Sequence, residues 1–171
     1  MGSGIAHCFA QYGFDVHLVD LNEGALKTAI EKIGKNLERQ VNKGLLTAED
    51  KAAALGRIQS FTDLGVALTS ADLVVEAATE NQDLKAKIFQ QMDAAAPAHC
   101  ILATNTSSLS ITTLASYTQR PEKVIGMHFM NPVPVMRLVE IIKGYQTDEA
   151  TLATIEDLTI TIEKVPLVAA D

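Results

Sequence analysis

The sequence contains no tryptophan, only two cysteines, and 14 lysines and arginines against 21 aspartates and glutamates in 171 residues. A net charge of −7 leaves no general field of cations to hold a polyphosphate, so nucleic acid and anionic membrane surfaces are not expected partners. Any anionic ligand must be met by local donors. No stretch approaches the ~18 consecutive apolar residues of a spanning helix, and no membrane segment is expected. The opening Met-Gly-Ser-Gly-Ile-Ala lacks a basic region ahead of an apolar one, which argues against a secretory leader. Cys8 and Cys100 stand far apart in apolar surroundings and read as buried thiols of a reducing compartment, with the cytoplasm expected. His7, His17 and His99 have no metal-ligand spacing with each other or with the cysteines, and no metal is expected.

What remains is rich in core-forming residues, 47% hydrophobic. Helical spacing runs from Gly4 to Tyr12 and stops at Gly13. Residues 14–20 then read as a strand ending in Asp20. Residues 21–43 form a long amphipathic helix capped by Asn22, with Leu26, Ile30, Ile33, Leu37 and Val41 along one face. Thr47 with Asp50 resembles a capping box opening a helix over residues 48–55. Further strands are predicted over 58–61, 72–77, 100–105, 123–129, 138–143 and 165–169. Helices are predicted over 84–95, 111–116 and 148–163. The 72–77 strand, continuously apolar and β-branched, is expected to be buried on both faces of a parallel sheet. Alternating strands and helices of this kind make an α/β, doubly wound sheet whose ligands gather at the carboxyl ends of the strands.

A dinucleotide site needs a strand, a G-x-G-x-x-G turn, a helix, and an acid about 20 residues further on for the ribose hydroxyls. Gly2 opens the first helix and Asp20 ends the next strand, which matches the second half of that fingerprint. Asp20 taken alone is equally a turn former. Three further segments carry more information: Val74-Val75-Glu76-Ala77-Ala78-Thr79-Glu80-Asn81; Asn105-Thr106-Ser107-Ser108-Leu109-Ser110-Ile111; and the run from Gly126 through His128-Phe129-Met130-Asn131-Pro132-Val133-Pro134 to Glu140. With the opening Met-Gly-Ser-Gly-Ile-Ala, these closely resemble the 3-hydroxyacyl-CoA dehydrogenases, most nearly the bacterial 3-hydroxybutyryl-CoA branch, along residues 1–171.

The resemblance implies a Rossmann-like, mostly parallel sheet and NAD-dependent oxidation of short-chain 3-hydroxyacyl-CoA to 3-oxoacyl-CoA, within fatty-acid metabolism. It implies that His128 is the general base and Glu140 its carboxylate partner. Ser107 and Asn131 would stand beside both the substrate oxygen and the nicotinamide. NAD would be held by Gly2, Asp20, Glu80, Lys85, Ser107 and Asn131. Arg39 and Lys43, four apart on one helical face, would meet the CoA phosphates. Each residue also has a plainer reading: a strand-end His128 is often structural, Glu140 could sit on an exposed edge, Ser107 could cap a helix, and Arg39 with Lys43 could be a solvated basic patch.

Family members carry a first strand and glycine turn before the position of Met1, and a helical dimerising domain after that of Asp171, which contributes one more active-site asparagine. Residues 1–171 are therefore expected to be an NAD-binding domain lacking the usual first strand, with homodimerisation a property of the longer family members. The alternative is a non-catalytic remnant, or a module that needs those segments to bind NAD and act.

Overall fold

The computed structural model describes residues 1–171. Seven strands and seven α-helices alternate along the chain: α1 (Gly2–Gln11), β1 (Val16–Val19), α2 (Glu23–Asn42), α3 (Ala48–Gly56), β2 (Ile58–Phe61), α4 (Leu64–Ala67), β3 (Leu73–Glu76), α5 (Gln82–Ala95), β4 (Ile101–Thr104), α6 (Ile111–Ala115), β5 (Val124–Phe129), β6 (Leu138–Lys143), α7 (Glu149–Thr161) and β7 (Val165–Ala170). No helix is long and apolar enough to cross a membrane.

The strands form two ladders. β1 pairs with β2 in parallel, and β3-β4-β5-β6-β7 form a second sheet, parallel throughout except where β6 runs antiparallel to β5. The mostly parallel α/β architecture agrees with the sequence. The expectation that β3 is buried on both faces does not hold: Leu73, Val74 and Val75 are only half-buried and Glu76 alone is buried. The reason is topological, since β3 ends its ladder, pairs on one side with β4 only, and is not hydrogen-bonded to β1. The buried strand is β4, whose four residues are all enclosed.

Local chemistry explains the helix boundaries. Asn22, Thr47, Asn81, Ser110 and Asp148 each accept a backbone N–H from their own helix's first turn, satisfying donors that have no intrahelical partner. Thr47 and Asp50 complete the reciprocal capping box. Asn81 starts α5 two residues earlier than periodicity indicates, and Asp63 nucleates the short α4, whose four residues give no periodic signal. Gly13, at φ +95, lets the chain reverse after α1 where a side chain would be strained.

Helices pack on both faces of the five-stranded sheet. On one, Ile5, Cys8 and Phe9 of α1 and Ile155 of α7 cover Ala103, Ile125, Met127, Val139 and Ile141. On the other, Phe89 and Met92 of α5 and Ile111 and Leu114 of α6 cover Leu102 and Val124. Ala6 of α1 also meets Ile33, Leu37 and Ala54, tying α2 and α3 to the same body. α1 can lie this close to the Val133 loop because residue 4 is glycine: a Cβ there would stand 2.8 Å from that of Val133. The two cysteines are buried and unpaired. Burial raises the titration of both thiols, that of Cys100 to about 11, which keeps them in the inert protonated form.

Candidate active site

β3, β4 and β5 are parallel neighbours, so Glu76, Thr104 and Phe129 end three strands at one edge of the sheet, and the loops that follow carry Glu80, Ser107 and Asn131. This is where an α/β sheet places its ligands.

His128 and Glu140 face each other across the antiparallel β5–β6 ladder, which pairs these two positions in register. Direct cross-strand neighbours bring their Cβ atoms within ~5.5 Å, so the register itself creates the contact. His128 Nδ1 lies 2.8 Å from Glu140 Oε2. The imidazole side chain is 21% exposed and the carboxylate 37%. A carboxylate accepts hydrogen bonds and does not donate, so Nδ1 carries a proton, and in the neutral ring Nε2 keeps its lone pair. β6 lies between β5 and β7, so Glu140 stands on an interior strand of the sheet rather than at its edge.

Ser107 and Asn131 are exposed at the same sheet edge. The loop holding Ser107 is tied at successive positions. Thr104 Oγ1 donates to Glu76 Oε2 at 2.9 Å, Asn105 Oδ1 accepts from Phe129 N at 2.8 Å, and Thr106 Oγ1 donates to Glu80 Oε2 at 2.6 Å. Ser107 N donates to Glu80 Oε1 at 3.2 Å. Glu80 is thus engaged with the Ser107 loop from both carboxylate oxygens. The Asn131 loop is fixed from below by Lys164, a buried ammonium that donates to the carbonyls of Val133 at 2.5 Å and Met136 at 2.6 Å.

Lys85, for which the resemblance implies a cofactor contact, has a side chain 1% exposed. Its ammonium is paired with the Glu76 carboxylate, with Thr104 Oγ1 at 3.3 Å. The cause is the return of α5 over the end of β3, which brings Lys85 onto the carboxylate that closes that strand. Glu76, Thr104, Asn105 and Thr106 are the residues that sequence reasoning passed over. Their signal is a polar residue terminating an otherwise apolar strand, as in Val-Val-Glu and Ile-Leu-Ala-Thr-Asn.

Gly2 and Asp20 lie at a helix start and a strand end. α1 has no side-chain cap at its N-terminus, and a Cβ on Gly2 would meet nothing within 4 Å. Asp20, exposed just past β1, accepts from Asn22 N at 2.8 Å through Oδ1 and keeps its second oxygen free. The donor set at these positions fits a dinucleotide, phosphate to the helix end and hydroxyls to the carboxylate. Arg39 and Lys43 share an exposed face at the far end of α2, where Arg39 Nη1 donates to Asn36 Oδ1 at 3.3 Å. Counted at ~1.5 Å per residue, they stand about 24 to 30 Å along the helix from its start beside Asp20.

Comparison with known proteins bears on the family and the fold. The family model for the 3-hydroxyacyl-CoA dehydrogenase NAD-binding domain matches residues 1–171. The chain is 46% identical over 171 residues to a 3-hydroxybutyryl-CoA dehydrogenase of Bradyrhizobium diazoefficiens, covering 100% of this chain and 58% of that protein. It is 41% identical over 177 residues to the mitochondrial hydroxyacyl-coenzyme A dehydrogenase of Rattus norvegicus, covering 100% of this chain and 56% of the relative. The crystal structure of (S)-3-hydroxybutyryl-CoA dehydrogenase from Ralstonia eutropha superposes with a TM-score of 0.97 at 45% identity, over 100% of this chain and 60% of that one. The chain therefore spans a little under two thirds of these relatives' length. With the matched family model extending over every residue and the fold shared throughout, the chain belongs to the NAD-binding 3-hydroxyacyl-CoA dehydrogenase family.

Proposed function

We propose that this chain carries the base and the cofactor-facing residues of a dehydrogenase that oxidises short-chain 3-hydroxyacyl-CoA, such as 3-hydroxybutyryl-CoA, to 3-oxoacyl-CoA. The observation that carries the reading is the His128–Glu140 pair: a proton-bearing Nδ1 fixed by a carboxylate and a basic Nε2 at the strand end, flanked by the loops of Ser107 and Asn131.

NAD supplies the acceptor for the hydrogen that leaves C3 with its electron pair. His128 Nε2 takes the proton of the C3 hydroxyl as that hydride departs, so a secondary alcohol becomes a ketone with its electrons balanced. Glu140 holds the ring in the productive tautomer and offsets the charge of the imidazolium that forms. The Ser107 hydroxyl and the Asn131 amide hold the substrate oxygen in line. In the reverse direction His128 returns the proton to the ketone oxygen. Asp20, free of a basic neighbour in Asp-Leu-Asn, favours a ribose with an unmodified 2′-hydroxyl. Arg39 and Lys43 meet the phosphates of CoA, supplying the local cations that an acidic protein otherwise lacks.

Residues 1–171 act in this reading as the NAD-binding domain of a cytoplasmic enzyme, with dimerisation residing in a separate helical unit. A second reading has one observation in its favour. β1 and β3 are not joined in one ladder, and each ends its own pairing there, as in a module that acts only together with a further strand.

The test is NADH absorbance with acetoacetyl-CoA, comparing the unaltered chain with His128→Ala and Glu140→Gln. Loss of His128 should lower kcat by ~10² to 10⁴, and Glu140→Gln by a similar order with little change in KM. Equal rates in the unaltered chain and His128→Ala would sink the assigned base. A chain without turnover, and without an upward melting shift on adding NAD, would favour the module.

A further inference from the structure

We propose that Asn105 is a positioning residue that fixes His128 relative to Ser107, an inference resting on the reading of His128 as the base. Asn105 is 9% exposed and stitches three strand ends together. Its backbone N–H, one residue past the end of β4, donates at 2.8 Å to the carbonyl of Glu76, the last paired residue of β3. Its side-chain Oδ1 accepts from the N–H of Phe129 at 2.8 Å.

The second bond matters because of where the ladder stops. β4 and β5 pair from Leu102↔Val124 to Thr104↔Gly126 and no further. Residues 127–129 run on beyond the end of β4. On one side they are held by β6, through Met127↔Ile141, His128↔Glu140 and Phe129↔Val139. On the other side the Asn105 side chain takes the place of the missing backbone partner. Phe129 is 1% exposed, so without that oxygen its N–H would be buried and unpaired, and the strand end would shift to find water.

Asn105 is therefore bonded to the residue next to the base and lies two residues before the hydroxyl that faces the substrate. Ser107 is anchored in turn through Glu80. A single side chain thus couples the two loops whose separation decides whether the proton and the substrate oxygen meet. A displacement near 1 Å at such a pair costs on the order of 10² in rate. A residue that merely finished β4 would leave the imidazole untouched.

The experiment uses the 171-residue chain with ¹⁵N-labelled histidine. There are four histidines, and His128 is identified by comparison with His128→Gln. In the unaltered chain its ring should show the Nδ1–H form. Asn105→Ala should broaden or shift those signals and move the ring's titration midpoint. It should also lower kcat for acetoacetyl-CoA reduction at least tenfold, with KM within twofold. Asn105→Asp keeps an acceptor oxygen opposite Phe129 N and should restore the ring signals and most of kcat. If Asn105→Ala does not fold, Asn105→Ser, too short to span to Phe129 N, is compared with Asp in its place.

A folded Ala or Ser variant with His128 signals, titration and kcat like the unaltered chain overturns the proposal. So does equal impairment of the Asp and the shorter variants. Absence of turnover in the unaltered chain would count against the dehydrogenase reading alone, since the ring signals still decide whether Asn105 holds His128.

Discussion

Replacing Lys85 by Met should destabilise this protein severely, and a second substitution should undo most of the loss. The ammonium of Lys85 and the carboxylate of Glu76 have side chains 1% and 2% exposed. Glu76 also accepts from Ala78 N at 2.7 Å and Thr104 Oγ1 at 2.9 Å. These neutral donors orient the carboxylate but do not neutralise it. Removing one partner of such a pair leaves an uncompensated charge in the interior, at a cost of about 3 to 5 kcal/mol.

A domain of this size shifts by roughly 2 to 4 °C per kcal/mol, so the single variant should melt on the order of 10 °C lower. Against whole-domain stabilities of about 5 to 15 kcal/mol, that is a large fraction. Replacing both partners by packed apolar residues, Lys85→Met with Glu76→Leu, removes both desolvation penalties and should recover much of the loss. It would still leave Ala78 N without its acceptor, so recovery should be incomplete. Thermal melts followed by circular dichroism read all four proteins of the cycle. An unchanged melting temperature in Lys85→Met, or a double variant no better than the single one, would refute the view that this pair is a structural clasp and would return Lys85 to a ligand-facing role.

Three further outcomes are expected. Gly4→Ala drives a Cβ to 2.8 Å from Val133 Cβ and 3.0 Å from its Cγ2 and should cost about 1 to 3 kcal/mol; chemical denaturation should show this. Stability should fall in two stages on acidification. Burial holds the His7 imidazole below its ordinary 6.5, so the unfolded chain takes up that proton first; the stability is complete above 6.5 and declines as pH drops through the folded-state value, a slope that His7→Asn should flatten. Burial alone would raise Asp171, but hydrogen bonds from Thr112, Ser110 and Ile111 outweigh it and hold the carboxyl below 3.8. Its contribution is present above 3.8 and lost as pH falls through the lower folded value, and Asp171→Asn should remove that second stage in a pH series of melts. Finally, Cys100, with its thiol raised to about 11, should resist iodoacetamide at pH 8 in the folded chain and react on unfolding.

The legible parts of this structure are those with local causes. The Asn22 and Thr47 caps, the Gly13 stop and the apolar face of α2 lie within a turn or two of the residues they govern, and the structure places them as read. The His128–Glu140 contact was accessible through motif resemblance, because the Asn-Pro-Val-Pro turn brings back a strand in which only one register buries the apolar set. The partners of Lys85 were not accessible. Its spacing on α5 tells which face it occupies, but that face meets Glu76 only through the crossover between β3 and β4, a fact of topology. The half-exposure of Leu73, Val74 and Val75 escaped for the same reason: an apolar run reports what a strand can bury and carries no record of which edge goes unpaired. Asn105 reads as an ordinary loop residue until the shortness of β4 beside β5 is known.

The pairing of His128 with Glu140 is set by strand register, and this gives the site an all-or-none character. Side chains alternate between sheet faces, so a slip of one residue in β6 would turn Glu140 to the opposite face and carry Val139 and Ile141, both fully enclosed, out of the core with it. The hydrophobic cost of that slip protects the proton-handling pair without any bond devoted to the purpose. The connection between the strands is held separately, by Lys164 on the carbonyls of Val133 and Met136, so a change of side chain at the exposed Val135 should leave the imidazole and its carboxylate in place so long as the ladder re-forms in register. Variation in that loop can change what approaches the base while the base stays where the sheet has put it.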